Sequence, residues 1–302
     1  MYTGSMGGLK LAVLAAAILV AAAALITVSS QNGAKPNERP KVIASFFPLY
    51  DFARNVAGGQ ADVAVLVPVG AEPHDWEPTI RQVQELQSAD LFIYSGAGID
   101  PWAAKVAAKA KVKTSAGVQL IRDGEAQPDA HTWLDPLRAK QEVEQIRDGM
   151  VAMDPPHAQV YASNAATYLA KLDALHADTS AMLANCRTRD FISFHQAFGY
   201  FALRYNLTQH SLLGTDPEGE ILPQALQQAI ALARQYNISV VYAEDLLDPR
   251  LAQTVAASIP NGQVEVLSPV EGLTAEQQAA GMGYIDKMQI NLAKLAGGLG
   301  CA

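Results

Sequence analysis

An α/β fold of two Rossmann-like lobes joined by a long backbone helix is predicted by three features of this 302-residue chain. Short apolar runs alternate with helical stretches at the rhythm of parallel β–α units. Between residues 157 and about 185 there is no Gly or Pro, and Tyr161, Ala165, Tyr168, Leu169, Leu172, Leu175 and Met182 recur at helical spacing. After that stretch the strand–helix alternation starts again. A helix of close to 30 residues, about 45 Å long, exceeds what one lobe requires and reads as the connection between two.

In order, residues 41–46 read as a strand and the stretch carrying Phe52, Ala53 and Val56 as a helix ended by Gly58-Gly59. Residues 63–67 form a second strand stopped by Pro68. A proline-bounded loop comes next, then a helix from Thr79 through Ser88 and a strand at 91–95. Pro136 opens a helix to about Met153, which Asp154-Pro155-Pro156 breaks. In the second half, strands are expected at 190–194, 239–243 and 264–267. Helices are expected at 196–205, 223–236, 249–259 and 274–295, the last with Gly281 and Gly283 as candidate interruptions. The resulting division is an N-terminal segment at 1–40, a first lobe at 41–154, a linking helix at 155–186 and a second lobe at 187–302.

Residues 11–28 are apolar apart from Thr27, with Lys10 before them and a polar, Pro-containing linker after them. The run is long for a signal-peptide core and just long enough to span a bilayer. Whether cleaved as a signal or retained as a membrane anchor, it exports the remainder of the chain. No cysteine stands near its end, which argues against a lipid-modified cysteine anchor. Half the residues are hydrophobic (50%), enough for a large core. The net charge of −8 without a basic patch argues against nucleic-acid binding. The 2 cysteines, Cys186 and Cys301, are free to form a disulfide outside the cytoplasm, and the sequence leaves their pairing open. With no Cys-x-x-Cys pair, a cysteine metal site is not expected.

The chain has 6 histidines, and three of them share a setting of nearby aromatic and proline residues: Pro73-His74-Asp75-Trp76-Glu77-Pro78, His131-Thr132-Trp133-Leu134-Asp135-Pro136 and Phe194-His195-Gln196-Ala197-Phe198-Gly199-Tyr200. Neutral imidazole is the commonest protein ligand for a transition metal, and three imidazoles with one oxygen suit tetrahedral zinc. The wide spacing requires the fold to assemble the site, in a cleft between separated segments. His74 and His195 come after strands, where α/β sheets collect ligands. His157, His176 and His210 read as ordinary surface or hydrogen-bonded histidines, His210 in a loop with Gln209 and Ser211.

These stretches resemble motifs of the zinc/manganese solute-binding proteins of ABC importers: Pro-His-x-Tyr-Glu-Pro, His-x-Trp-Leu-Asp-Pro and Phe-His-Asp-Ala-Phe-x-Tyr. Ser268-Pro269-Val270-Glu271-Gly272-Leu273 is similar to that family's Asp-Pro-Leu-Glu-Gly-Leu. The resemblance covers nearly all of residues 41–295. It implies two lobes flanking a long helix, with one metal ion between them. His74 and His131 then come from the first lobe and His195 from the second. Ser268 stands where relatives carry an aspartate, so Glu271 is taken as the fourth ligand. Glu244, matching a glutamate of the family, is assigned to orient an imidazole through its other N–H; Asp245 and Asp248 are lesser candidates. Three nitrogens and one oxygen favour Zn(2+) over Mn(2+). Zinc-type relatives often carry a His- and Asp-rich loop before the second histidine, where this chain has only residues 124–130.

The implied function is extracytoplasmic capture of a divalent metal ion and delivery to an ABC permease, by a monomer that is not an enzyme. Affinity is expected to fall as pH drops through about 6.5, the ordinary imidazole value. The alternatives are a manganese- or iron-preferring receptor of the same type, a metal-dependent hydrolase, or an adhesin that keeps metal for structure. Against a hydrolase, there is no His-Glu-x-x-His helix and no Gly-x-Ser-x-Gly elbow.

Overall fold

The structure, a computed structural model, describes residues 39–122, 128–215, 217 and 223–302. The apolar run at 11–28 lies outside the described residues; among those described, no helix is long and apolar enough to cross a membrane.

The first lobe contains β1 (Lys41–Ala44), α1 (Phe47–Ala57), β2 (Asp62–Val65), α2 (Ile80–Ser88), β3 (Leu91–Tyr94), β4 (Lys111–Lys113) and α3 (Pro136–Met153). The long helix α4 spans Ala158–Met182. The second half contains β5 (Asp190–Ser193), α5 (Gly199–Tyr205), β6 (Thr208–Ser211), α6 (Pro223–Gln235), β7 (Val240–Ala243), α7 (Arg250–Ala257), β8 (Gln263–Val266), α8 (Ala275–Ala279) and α9 (Tyr284–Leu299). Both sheets are parallel and share one topology: β2-β1-β3-β4 and β6-β5-β7-β8. In each, the chain starts in a central strand, adds one edge, then crosses to the other side. That leaves a topological switch point between β1 and β3 and another between β5 and β7.

Local chemistry sets the element ends. Gly58 takes a left-handed φ of 54° and closes α1. At the start of α2, Thr79 accepts from the Gln82 backbone N–H while Gln82 reaches back to Thr79 N. Asp135 caps α3 by accepting from Leu137 N, with Pro136 in the first turn. This fixes where the His131 loop ends. Asp135 also receives a two-pronged bond from Arg204 of α5, Nε to Oδ1 (3.1 Å) and Nη2 to Oδ2 (2.8 Å), which ties the two lobes together.

One cluster of buried apolar side chains runs from Val42 and Leu91 of the first sheet through Tyr161, Tyr168 and Leu172 of α4 to Phe191 and Tyr242 of the second. The lobes therefore share a core along α4 and α9. A smaller cluster covers another part of each lobe, around Ile43 and Phe92 in the first and around Ile192 and Val241 in the second.

Several elements differ from the sequence reading. β4 and β6 were not expected; both are edge strands with polar sequences, Lys-Val-Lys and Thr-Gln-His-Ser, so neither has an apolar run. His210 is accordingly in β6, not in a loop, with Nε2 2.9 Å from Asp190 Oδ1. α4 has 25 residues, shorter than expected. The chain leaves the helix after Met182 to place Cys186 against Cys301, which are disulfide-bonded. α5 starts at Gly199 and not at Gln196, because Gln196 N donates to Gly214 O and Ala197 N to His195 O in a turn. The C-terminal stretch is two helices separated at Gly281, whose φ is 68°.

Candidate metal centre

His74 sits in the proline-bounded loop after β2. His131 caps a short 3-10 turn, Thr132–Leu134, that leads into α3. His195 comes just after β5, and Glu271 lies in the loop after β8. Two come from the first lobe and two from the second, all near the carboxyl edges of the sheets. His131 and His195 are wholly buried and Glu271 nearly so. Only the His74 side chain reaches solvent, with 11% of it exposed.

The facing atoms are one nitrogen from each imidazole and one carboxylate oxygen. His131 Nε2 lies 3.3 Å from His74 Nε2 and 3.1 Å from His195 Nε2. Glu271 Oε1 is 3.0, 3.3 and 3.7 Å from the Nε2 atoms of His131, His74 and His195. A tetrahedral zinc with donors at about 2.0–2.1 Å spaces those donors about 3.4 Å apart. The five distances bracket that edge length, so one ion fits at the centre. The four residues are a metal-competent group in which one ligand atom from each lies within 4.8 Å of the others.

The two buried imidazoles are fixed in the same way. Asp129 Oδ1 faces His131 Nδ1 at 2.8 Å and also accepts the His131 backbone N–H at 2.9 Å. Glu244 Oε1 faces His195 Nδ1 at 2.7 Å and accepts the His195 N–H at 3.1 Å. With Nδ1 protonated, each Nε2 presents its lone pair to the centre. The His195–Glu244 contact crosses from β5 to β7, at the switch point of the second sheet. No such carboxylate faces Nδ1 of His74 among the described residues. Glu244, assigned from the sequence to orient an imidazole, lies against His195 Nδ1. Asp245 and Asp248 are engaged elsewhere, Asp245 with the buried Lys287 (2.7 Å) and Asp248 with Arg250 at the surface.

Two acidic residues near the centre escaped the sequence reading. Asp129 stands two positions before His131, a spacing that lets one carboxylate reach both backbone and ring. Glu72 stands two positions before His74 and accepts its backbone N–H at 3.3 Å. One carboxylate oxygen each of Glu72, Glu244 and Glu271 is buried without a hydrogen-bond partner, as suits a cation site. Burial and the neighbouring Glu271 charge push the Glu72 carboxyl up to about 10. Burial also works against a charge on His131, but its bonds to Asp129 and Glu271 more than offset this and push the imidazole up to about 10. Burial would raise Glu271 too, yet the bonds from His131 and His74 hold it well below the ordinary carboxylate range.

Two parallel-sheet lobes with a cluster of metal donors pinched between them define a two-lobed solute-binding protein built around a metal ion. The chain belongs to the family described as ZnuA, zinc-uptake complex component A, periplasmic, whose profile matches residues 42–298. That family consists of transport components, not enzymes. The high-affinity zinc uptake system protein ZnuA of Bacillus subtilis strain 168 is 32% identical over 300 residues, covering 93% of this chain and 94% of the relative. The structure of the Zn(II)-bound ZnuA-like domain of Streptococcus pneumoniae AdcA is 32% identical with a TM-score of 0.78, covering 87% of this chain and 99% of that one. The laminin-binding protein Lmb of Streptococcus agalactiae, described as bifunctional with adhesin and metal-transporting activity, is 29% identical. It has a TM-score of 0.81 and covers 87% of this chain and 100% of its own.

Proposed function

We propose that this protein captures a zinc ion outside the cytoplasm and hands it to the membrane permease of an ABC importer, with His74, His131, His195 and Glu271 as the ligands. The observation that carries this reading is the near-tetrahedral set of three nitrogens and one oxygen, drawn from both lobes. Manganese prefers a larger share of oxygen donors, so zinc is the better match. The zinc named for the relatives supports the same choice, and the match to an uptake-complex family supports the permease as partner. The adhesin neighbour is also described as transporting metal, so adhesion there accompanies metal handling and does not replace it.

The ion acts as the clasp. His131 and His195 are held in place by carboxylates, and the shared core opposes wide opening of the lobes. Zinc therefore enters and leaves on the side of His74, the ligand that reaches solvent, by small loop movements. Native mass spectrometry before and after chelation tests the reading: one zinc is expected per chain, lost to chelator with the fold retained. H195A is expected to lose most high-affinity binding. Tighter retention of manganese than of zinc in direct competition would overturn the choice of metal.

A further inference from the structure

Four non-glycine residues among those described have a positive φ: Asn206 (52°), Asn237 (52°), Asn261 (54°) and Val270 (61°). Asparagine tolerates the left-handed region because its side chain bonds locally. Valine does not; its branched Cβ crowds the backbone there, and such a conformation persists only where the surroundings over-determine it. Val270 is wholly buried and immediately precedes Glu271.

The surroundings do over-determine it. Val270 N donates to Ser268 Oγ (3.0 Å). Ser268 N donates to Asn291 Oδ1 (2.9 Å), and Asn291 Nδ2 donates back to Ser268 O (2.6 Å). Trp133 Nε1 donates to Pro269 O (2.8 Å), and Lys287 Nζ to Gly272 O (2.7 Å). Gly70 N donates to Leu273 O (2.9 Å). Five bonds from outside and one within thus grip the six-residue loop 268–273. The anchors come from α9, from the turn beside His131 and from the loop that carries His74.

We propose that Val270 is a positioning residue. Its enforced left-handed turn holds the Glu271 carboxylate against the three imidazoles before the metal arrives, which slows release of the ion. The inference rests on reading Glu271 as a ligand. A long glutamate side chain on a relaxed loop would sample other directions; locking the backbone beneath it removes much of that freedom.

The test compares Val270→Ala with Val270→Gly in the full chain. Both variants lose the two buried methyl groups, but only glycine also removes the Cβ that is strained at this φ. The metal-free V270G is expected to unfold at a higher temperature than V270A, the reverse of the usual Ala-over-Gly order. In spite of that, V270G is expected to release zinc to a chelator about tenfold faster than V270A, because glycine reaches a wider range of backbone conformations beneath Glu271 than alanine does. A merely structural role would move stability and retention in the same direction. If V270G is the less stable of the two, or if it releases zinc no faster, the proposal fails. E271Q separates the two readings. If E271Q releases zinc at the wild-type rate, Glu271 is not a ligand and both readings fall. If E271Q speeds release while V270G matches V270A, only the role of Val270 falls.

Discussion

Glu244 Oε1 accepts from both the ring Nδ1 and the backbone N–H of His195, at 2.7 and 3.1 Å. One oxygen thereby sets the tautomer and the rotation of the buried ring. An amide in its place keeps an acceptor but loses the charge that raises imidazole basicity. E244Q is expected to weaken zinc binding by about 10–100-fold with little change in the metal-free melting temperature. Competition against a chromophoric chelator measures this; wild-type affinity would remove Glu244 from the site.

The charge state of His131 gives zinc binding a pH dependence. With its imidazole pushed up to about 10 by Asp129 and Glu271 against the effect of burial, the ring carries a proton at neutral pH that the metal must displace. A folded-state value above the ordinary 6.5 means that the proton's contribution to stability is complete below about 6.5 and is lost as pH rises through about 10. The metal-free protein therefore loses this contribution across the same window in which zinc binding strengthens. The window is wider than an unperturbed imidazole implies. The zinc-induced rise in melting temperature is expected to grow with pH, and calorimetry in buffers of different ionisation enthalpy should detect a released proton near neutral pH. A rise independent of pH, with no proton release, contradicts this assignment.

The Cys186–Cys301 bond should matter for stability and not for metal binding. It joins residues 115 apart in sequence, and closing a loop of that order stabilises by about 4–5 kcal/mol in the chain-entropy treatment. Cys186 precedes the start of β5, whereas His195 lies beyond its end, so the bond is at the opposite end of the strand from the metal. The C186S/C301S double variant is expected to melt well below wild type and still bind one zinc with near-normal affinity. Loss of binding at a temperature where the variant is folded would show that the bond reaches the site.

The legibility of this site in sequence came from how its parts are built. His74, His131 and His195 were visible because each sits among aromatic and proline residues, and the strand–turn chemistry around them is local. Glu271 and Glu244 came only with the family resemblance; a lone glutamate after a strand has no signature of its own. Asp129 and Glu72 were missed because their roles depend on a two-residue reach visible only once the loops are folded. β4 and β6 were missed because edge strands need no apolar run. The left-handed turn at Val270 opposes every local preference of valine, so sequence propensity points away from it; tertiary hydrogen bonds impose it.

Trp133 joins two of the ligand loops directly. Its ring centroid lies 5.3 Å from that of His131, and its indole N–H donates to Pro269 O in the Glu271 loop. Tyr284 OH donates to the Trp133 carbonyl at 2.5 Å, which locks the same turn to α9. W133F keeps most of the apolar volume but strands a buried carbonyl, which costs about 1–3 kcal/mol. The metal-free variant is expected to melt lower, and zinc to dissociate faster, because the His131 and Glu271 loops are no longer tied to each other. In the wild type, Trp133 emission should rise on zinc binding, since the neighbouring imidazole exchanges its quenching proton for the metal. Comparing the emission change in wild type and W133F isolates this indole from Trp76 and Trp102. An equal change in both proteins would mean that Trp133 does not sense the metal.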